Sequence, residues 1–223
     1  MYTAAVLDLG SNTFHILVIQ KSGDNFVELL RKRVYVKLAI DGIDNLSQAS
    51  MDRGIEALIE FREIINRYQV DTVKVIGTAA LRTAKNGPAY LKRIQSETGL
   101  VVELIDGIEE ARLIYLGVSQ VWKTPEKPVL IMDIGGGSVE YIIADAHNFY
   151  WSQSYPVGVA VLYRQFHQTE PISTDKKLAL KDFLSKHLEG MKPVLDHYQP
   201  EILIGASGTF DVIGSILDRK SSN

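Results

Sequence analysis

The chain has 223 residues, 46% of them hydrophobic, enough for the core of one or two globular domains. Its 24 basic and 27 acidic residues leave a formal charge of -3, which argues against generic nucleic-acid binding, and the absence of cysteine excludes disulfides and thiolate metal sites and suits a cytoplasmic location. The first twenty residues lack a basic leader and Asp8 interrupts their apolar run, so neither a signal peptide nor a membrane span is expected.

Three short antiparallel strands are predicted first. They span residues 4–9, 14–20 after the turn Gly10, Ser11, Asn12, and 26–30 after a Ser-Gly-Asp-Asn turn. RKRVYVK (31–37) alternates charge with Val34 and Val36, as an extended piece with a solvated basic face does. Met51, Ile55, Leu58, Ile59, Ile64 and Ile65 then recur at helical spacing within 46–68, with Ser47 or Ser50 as N-cap. A strand over 72–77, a helix over 87–98 closed by Gly99, a strand over 101–105 and a helix over 109–121 complete the order βββαβαβα. The proline-containing stretch 124–128 reads as a linker, which divides the chain into domains 1–124 and 125–223.

The second domain opens on VLIMDIGGGSVEYIIA (129–144), where two apolar runs flank a carboxylate, three glycines and a serine. The spacing predicts a hairpin. Gly135, Gly136 and Gly137 have no side chains to hold an anion off the backbone, so their N–H groups could converge on phosphate oxygens. Asp133 ends the first strand, and Glu140 on the returning strand could join it on a divalent cation. A plain tight turn with a capping Asp reads equally well from this stretch alone. Strands over 149–157 and 201–204, a helix over 159–166, a helical region over 174–198 broken or kinked at Pro193, and a helix after Gly208 are predicted to follow.

The chain also echoes itself. VLDLGSN (6–12) and IMDIGGG (131–137) share one pattern of apolar residues, Asp and Gly, with Asp133 following Asp8 by 125 residues. VIGTA (75–79) returns as LIGAS (203–207) at an offset of 128. Two echoes at nearly one spacing imply two homologous α/β halves. Facing halves would set both Asp-Gly turns on opposite walls of one cleft, where a polyanion and a metal ion could sit.

DLGSNTFHILV (8–18), GTAALRTA (77–84), IDGIEEARLIYLGV (105–118), IMDIGGGSVE (131–140) and GASGT (205–209) together resemble the exopolyphosphatase and guanosine pentaphosphate phosphohydrolase family. The wider superfamily holds actin, the seventy-kilodalton heat-shock ATPases and the sugar and acetate kinases. The resemblance implies two ribonuclease H-like (actin-like ATPase) halves flanking a central cleft, and hydrolysis of a terminal phosphoanhydride of polyphosphate or pppGpp by activated water. It implies Glu110 as general base, Asp133 and Glu140 as metal or water-positioning carboxylates, with Asp8 a further metal candidate. Gly135, Gly136, Gly137 and Ser138 would form one phosphate loop. Ser11, Asn12 and Arg82 would contact phosphate from the first half, and Gly208 and Thr209 would close the second wall. The expected cofactor is Mg2+ or Mn2+, and the expected partner is the polyphosphate or guanosine polyphosphate substrate, with neither nucleic acid nor membrane.

Physical chemistry agrees with these roles. Anhydride hydrolysis needs a base near water, neutralisation of the transferred phosphoryl group and in-line placement. Glu110 would open a helix, where the dipole favours a charged carboxylate, though Glu109 and Glu110 are also ordinary first-turn charges. Arg82 offers a planar fork for phosphate oxygens. His15, alone in an apolar run, reads as a hydrogen-bonded core residue, and the other histidines lack metal-ligand spacing. Ser207 lacks an elbow motif and reads as part of a backbone phosphate turn.

Family members would continue for about eighty residues or more beyond GASGT, so the second half is expected to be incomplete, with an open sheet edge and an uncovered apolar face that self-association as a homodimer could cover. The absence of further C-terminal domains would favour short-chain or nucleotide substrates. Two other functions fit the same residues: a non-catalytic alarmone or polyphosphate sensor, and a kinase of the same superfamily.

Overall fold

The computed structural model describes residues 2–221 except 24 and 124, so Asp24 of the predicted turn and Thr124 of the predicted linker lie outside the described residues. The chain divides into two compact units, Met1–Asp106 and Gly107–Asn223.

In the first unit β1 (Tyr2–Leu9), β2 (Phe14–Ser22) and β3 (Asn25–Val34) form an antiparallel meander. α1 (Gln48–Arg67), β4 (Thr72–Gly77), α2 (Ala79–Thr83), α3 (Gly87–Thr98) and β5 (Glu103–Leu104) follow. The sheet order is β3-β2-β1-β4-β5, with β4 parallel to β1 and β5 parallel to β4. Strand alternation sends Leu7, Leu9, Phe14, Ile16 and Val18 to one face, where they are buried in one cluster with Leu58, Phe61 and Ile65 of α1 and Tyr90 and Ile94 of α3. Each such side chain contributes about 1.5–3 kcal/mol by leaving water.

The caps explain the helix limits. Ser47 is the N-cap of α1, and its side chain accepts from the Ser50 backbone N–H. Gly99 ends α3 in the left-handed conformation (φ 71°) that favours glycine. The predicted basic segment lies partly in β3, which runs on to Val34; Arg31 and Arg33 are exposed and Val36 is buried.

In the second unit α4 (Gly107–Val121) precedes β6 (Val129–Ile134), β7 (Val139–Ala144) and β8 (Phe149–Tyr155). α5 (Val159–Phe166), α6 (Thr174–His187), α7 (Met191–Tyr198), β9 (Leu203–Ala206) and α8 (Gly208–Ser221) complete it. Its sheet order is β8-β7-β6-β9, with β6, β7 and β8 antiparallel and β9 parallel to β6. Both faces are covered. Val129, Ile131, Ile142 and Ala144 pack with Ala111, Ile114 and Tyr115 of α4. Leu130, Met132, Val139 and Tyr141 pack with Leu162 of α5, Phe183 of α6 and Met191 and Leu195 of α7. β7 is accordingly buried along its whole length. Two mixed sheets with flanking helices make an α/β architecture consistent with the actin-like ATPase fold.

Several details differ from the sequence expectation. The break in the 174–198 region falls between His187 and Met191, with Gly190 as N-cap of α7, and Pro193 sits in that helix's first turn, where its missing N–H costs nothing. The short α2 was not predicted, because five residues carry too little periodicity to register. β5 pairs only through Glu103 and Leu104, since β4 offers it Ile76 and Gly77 alone. α4 packs on β7 and β8, so it falls with the second compact unit, whereas a boundary at 124 groups it with the first. No helix among the described residues is long and apolar enough to cross a membrane.

Candidate active site

In the second unit the site grows from the β6–β7 hairpin. Asp133 and Glu140 are direct cross-strand partners, so their side chains leave the same face of the sheet, with Cβ atoms about 5 Å apart. That face is the one α4 covers, because Val129, Ile131 and Asp133 alternate on β6 and Glu140, Ile142 and Ala144 on β7. Glu140 is only 2% exposed and accepts a 2.7 Å hydrogen bond from the Ser154 hydroxyl of β8. Burial pushes the Asp133 carboxyl above its usual range.

Glu110 stands in the first turn of α4, with Oε2 shut off from solvent. The helix starts hard against the sheet: a Cβ at Gly107 would lie 2.6 Å from Ser154 Cβ. Glu110 therefore belongs to the end of α4 that meets the strand holding Ser154, the partner of Glu140.

The turn between the strands is closed by Gly135 N–H donating to Ser138 O at 3.0 Å. Its carbonyls are taken up by the start of α5, since the backbone N–H groups of Gly158, Val159 and Ala160 donate to Gly137, Gly135 and Gly136. Gly135 N–H is spent on closing the turn, so the N–H groups that follow it, at Gly136, Gly137 and Ser138, are the turn's candidate anion donors. Ser138 is buried. A Cβ at Gly158 would stand 2.5 Å from the backbone carbons of Gly136 and Gly137. Gly158→Ala is therefore expected to destabilise the protein by about 1–3 kcal/mol, because backbone rather than a pliable side chain must move, and to weaken phosphate binding. Thermal unfolding and KM for phosphate release check this.

The start of α8 lies beside the same turn. The hydroxyls of Ser207 and Thr209 both donate to Ile134 O at 3.1 Å, which places Gly208 and Thr209 next to the strand end carrying Asp133. Ser207 holds a left-handed backbone (φ 73°), a strain of about 1–2 kcal/mol for a non-glycine residue.

The first unit carries its own turn. Gly10 N–H donates to Thr13 O at 3.0 Å, while Ser11 O and Asn12 O accept from Ala39 and Lys37 N–H. Ser11 is nearly buried, and Asn12 and Asp8 are exposed. Asp8 pairs across the strands with His15, and His15 with Arg33. The His15 ring lies 2.9 Å from Thr13 Oγ1, and burial, then the Arg33 and Arg31 guanidiniums, pull its pKa below the ordinary value. Arg82, placed by α2, donates from Nη1 to Ile105 O. A guanidinium has five donors, so this contact does not preclude phosphate.

Among the described residues no group of three or more His, Asp or Glu is arranged to hold a metal ion. The Asp133–Glu140 pair nevertheless suits a magnesium-like cation, which takes one or two carboxylates and completes its shell with water and substrate phosphates. Asp8 belongs to the first unit. Sequence reasoning missed Ser154 and Gly158. The Pro-Val-Gly step before α5 hinted at Gly158, whereas Ser154 acquires its role only through the β7–β8 register.

A guanosine-5'-triphosphate,3'-diphosphate pyrophosphatase of Photobacterium profundum is 31% identical over 218 residues, which is 96% of this chain and 43% of that protein. The chain thus spans less than half the length of this curated relative. The crystal structure of an exopolyphosphatase from Cytophaga hutchinsonii superposes with a TM-score of 0.95 at 33% identity, covering 99% of this chain and 72% of that one. An Aquifex aeolicus PPX-GPPA enzyme gives 0.73 at 29% identity, covering 93% and 68%. The family model described as the Ppx/GppA phosphatase family matches residues 17–221, spanning the hairpin, the α4 carboxylates and the start of α8, and this chain belongs to that family.

Proposed function

We propose that the protein hydrolyses a terminal phosphoanhydride, releasing orthophosphate from polyphosphate or pppGpp in a metal-dependent reaction. The observation that carries this reading is the pairing of Asp133 with Glu140 beside a triglycine turn, on the sheet face where α4 brings in Glu110. The similarity to an exopolyphosphatase and to a guanosine-5'-triphosphate,3'-diphosphate pyrophosphatase supports the same chemistry.

In this reading Glu110 accepts the proton of the attacking water. Asp133 and Glu140 would hold a Mg2+ or Mn2+ ion, and Asp8 is the first unit's own metal candidate. The ion, when bound, neutralises charge on the phosphoryl oxygens. The turn Gly135, Gly136, Gly137, with the N–H groups of Gly136 and Gly137 as donors, cradles phosphate together with Ser138, Gly208 and Thr209, and Ser11, Asn12 and Arg82 are the first unit's own candidate phosphate contacts.

The two sheets descend from one duplicated unit in the same reading. Strand order and sense agree over β3-β2-β1-β4 and β8-β7-β6-β9. Both Asp-Gly turns close on the same four-residue hydrogen bond, and Ala39 and Ala160 donate to equivalent turn carbonyls, Ser11 O and Gly136 O. The second echo needs adjustment. Ladder register sets Ile76 beside Asp8 and Ala206 beside Asp133, an offset of 130 rather than 128. A slip of two residues keeps every side chain on its own face.

The test is a side-by-side assay of phosphate release from polyphosphate and pppGpp with Mg2+. Turnover of either substrate that stops with EDTA is the expected result. Ligand-induced thermal stabilisation with no turnover of either would replace this reading with a sensor.

A further inference from the structure

Ser154 touches both halves of the candidate chemistry. Its hydroxyl donates to Glu140 Oε1 at 2.7 Å, and Glu140 is 2% exposed. A carboxylate so far out of water depends on its hydrogen bonds to keep one orientation. The same residue receives the start of α4, where a Cβ at Gly107 would lie 2.6 Å from Ser154 Cβ and 3.1 Å from Oγ. Gly107 precedes Glu110 by less than one helical turn, so one β8 side chain sits between the base-bearing helix and the buried carboxylate. Its neighbour Ser152 faces the same side of the sheet but lies opposite Ile142, with no carboxylate to hold.

We propose that Ser154 is a positioning residue: its hydroxyl orients Glu140 toward the cation, and its small side chain seats the first turn of α4 at the depth that sets Glu110 over the same sheet face. The proposal rests on the hydrolase reading above. Outer hydrogen bonds to a ligating carboxylate fix its orientation, and their removal typically costs 10–100-fold in metal affinity or activity. A residue that only filled space would leave metal affinity unchanged when replaced by one that folds equally well.

The experiment measures Mn2+ binding by electron paramagnetic resonance on the full chain, with methylenediphosphonate as a non-hydrolysable phosphoanhydride mimic, alongside kcat and KM for phosphate release. Ser154→Ala is expected to raise the Mn2+ dissociation constant by about 10–100-fold and to lower kcat with KM unchanged. Ser154→Cys, a weak donor of similar shape, falls between Ala and wild type and serves if the Ala variant does not fold. Ser152→Ala matches wild type. Wild-type Mn2+ affinity in folded Ser154→Ala or Ser154→Cys, with Asp133→Asn losing the ion, overturns the role of Ser154 and leaves the hydrolase reading standing. A wild-type protein that binds no Mn2+ beside the mimic and releases no phosphate removes both.

Discussion

Glu110→Gln is expected to slow phosphate release by about 100- to 10,000-fold while substrate still binds, because general base catalysis contributes that range and an amide cannot accept the proton. The substitution keeps the shape of the side chain and the start of α4. It leaves in place the Asp133–Glu140 pair and the glycine turn that the reading assigns to cation and phosphate. Activity and affinity should therefore separate. Initial rates with Mg2+ give the first, and ligand-induced thermal stabilisation gives the second. Wild-type turnover in this variant would take the proton-accepting role away from Glu110.

Asp133→Asn should separate stability from activity in the opposite sense. Burial holds the Asp133 carboxyl above its ordinary range, so the native chain binds this proton more readily than the unfolded chain does. The group's favourable contribution is complete below the ordinary value of 3.8 and is lost as pH rises through the raised one. At neutral pH, without a cation, the desolvated carboxyl therefore costs stability that the amide does not, whether it stays charged or takes up a proton. In EDTA at pH 7 the Asn variant is expected to melt above wild type, by about 2–4 °C for each kcal/mol regained in a chain of this size. The gap should close as pH falls toward 4. With Mg2+ the same variant should lose phosphate release by about 100- to 1,000-fold, the worth of several kcal/mol of cation binding. A variant less stable than wild type in EDTA at every pH would show that desolvation is not what governs this carboxylate.

Both predictions start from residues visible in the sequence, yet their force comes from placement. Local signals were enough for α3, since Gly99 has one comfortable conformation there, and for α1, where an apolar stripe every three to four residues can only face a core. They were also enough for the β6–β7 hairpin, because a short glycine turn between two strands fixes which residues oppose each other. Local signals failed where the deciding contact is remote. Pro193 looked like a breaker, but in a first helical turn its missing N–H has no partner to lose. The start of α4 looked like an ordinary charged helix end until the tight fit of Gly107 on Ser154 tied it to β8.

By itself, then, the sequence determined the strand-turn-strand units with Asp8 and Asp133 at their ends, the major helices and the family motifs, because turn chemistry and periodicity act between residues close in the chain. Only the tertiary structure decided that Asp133, Glu140 and Ser154 share one sheet face, that α4 covers that face in the second unit, and that the glycine turn is held from behind by the start of α5. Those relations join residues up to 47 positions apart, from Gly107 to Ser154, and are set by strand register and close packing, which no local pattern encodes.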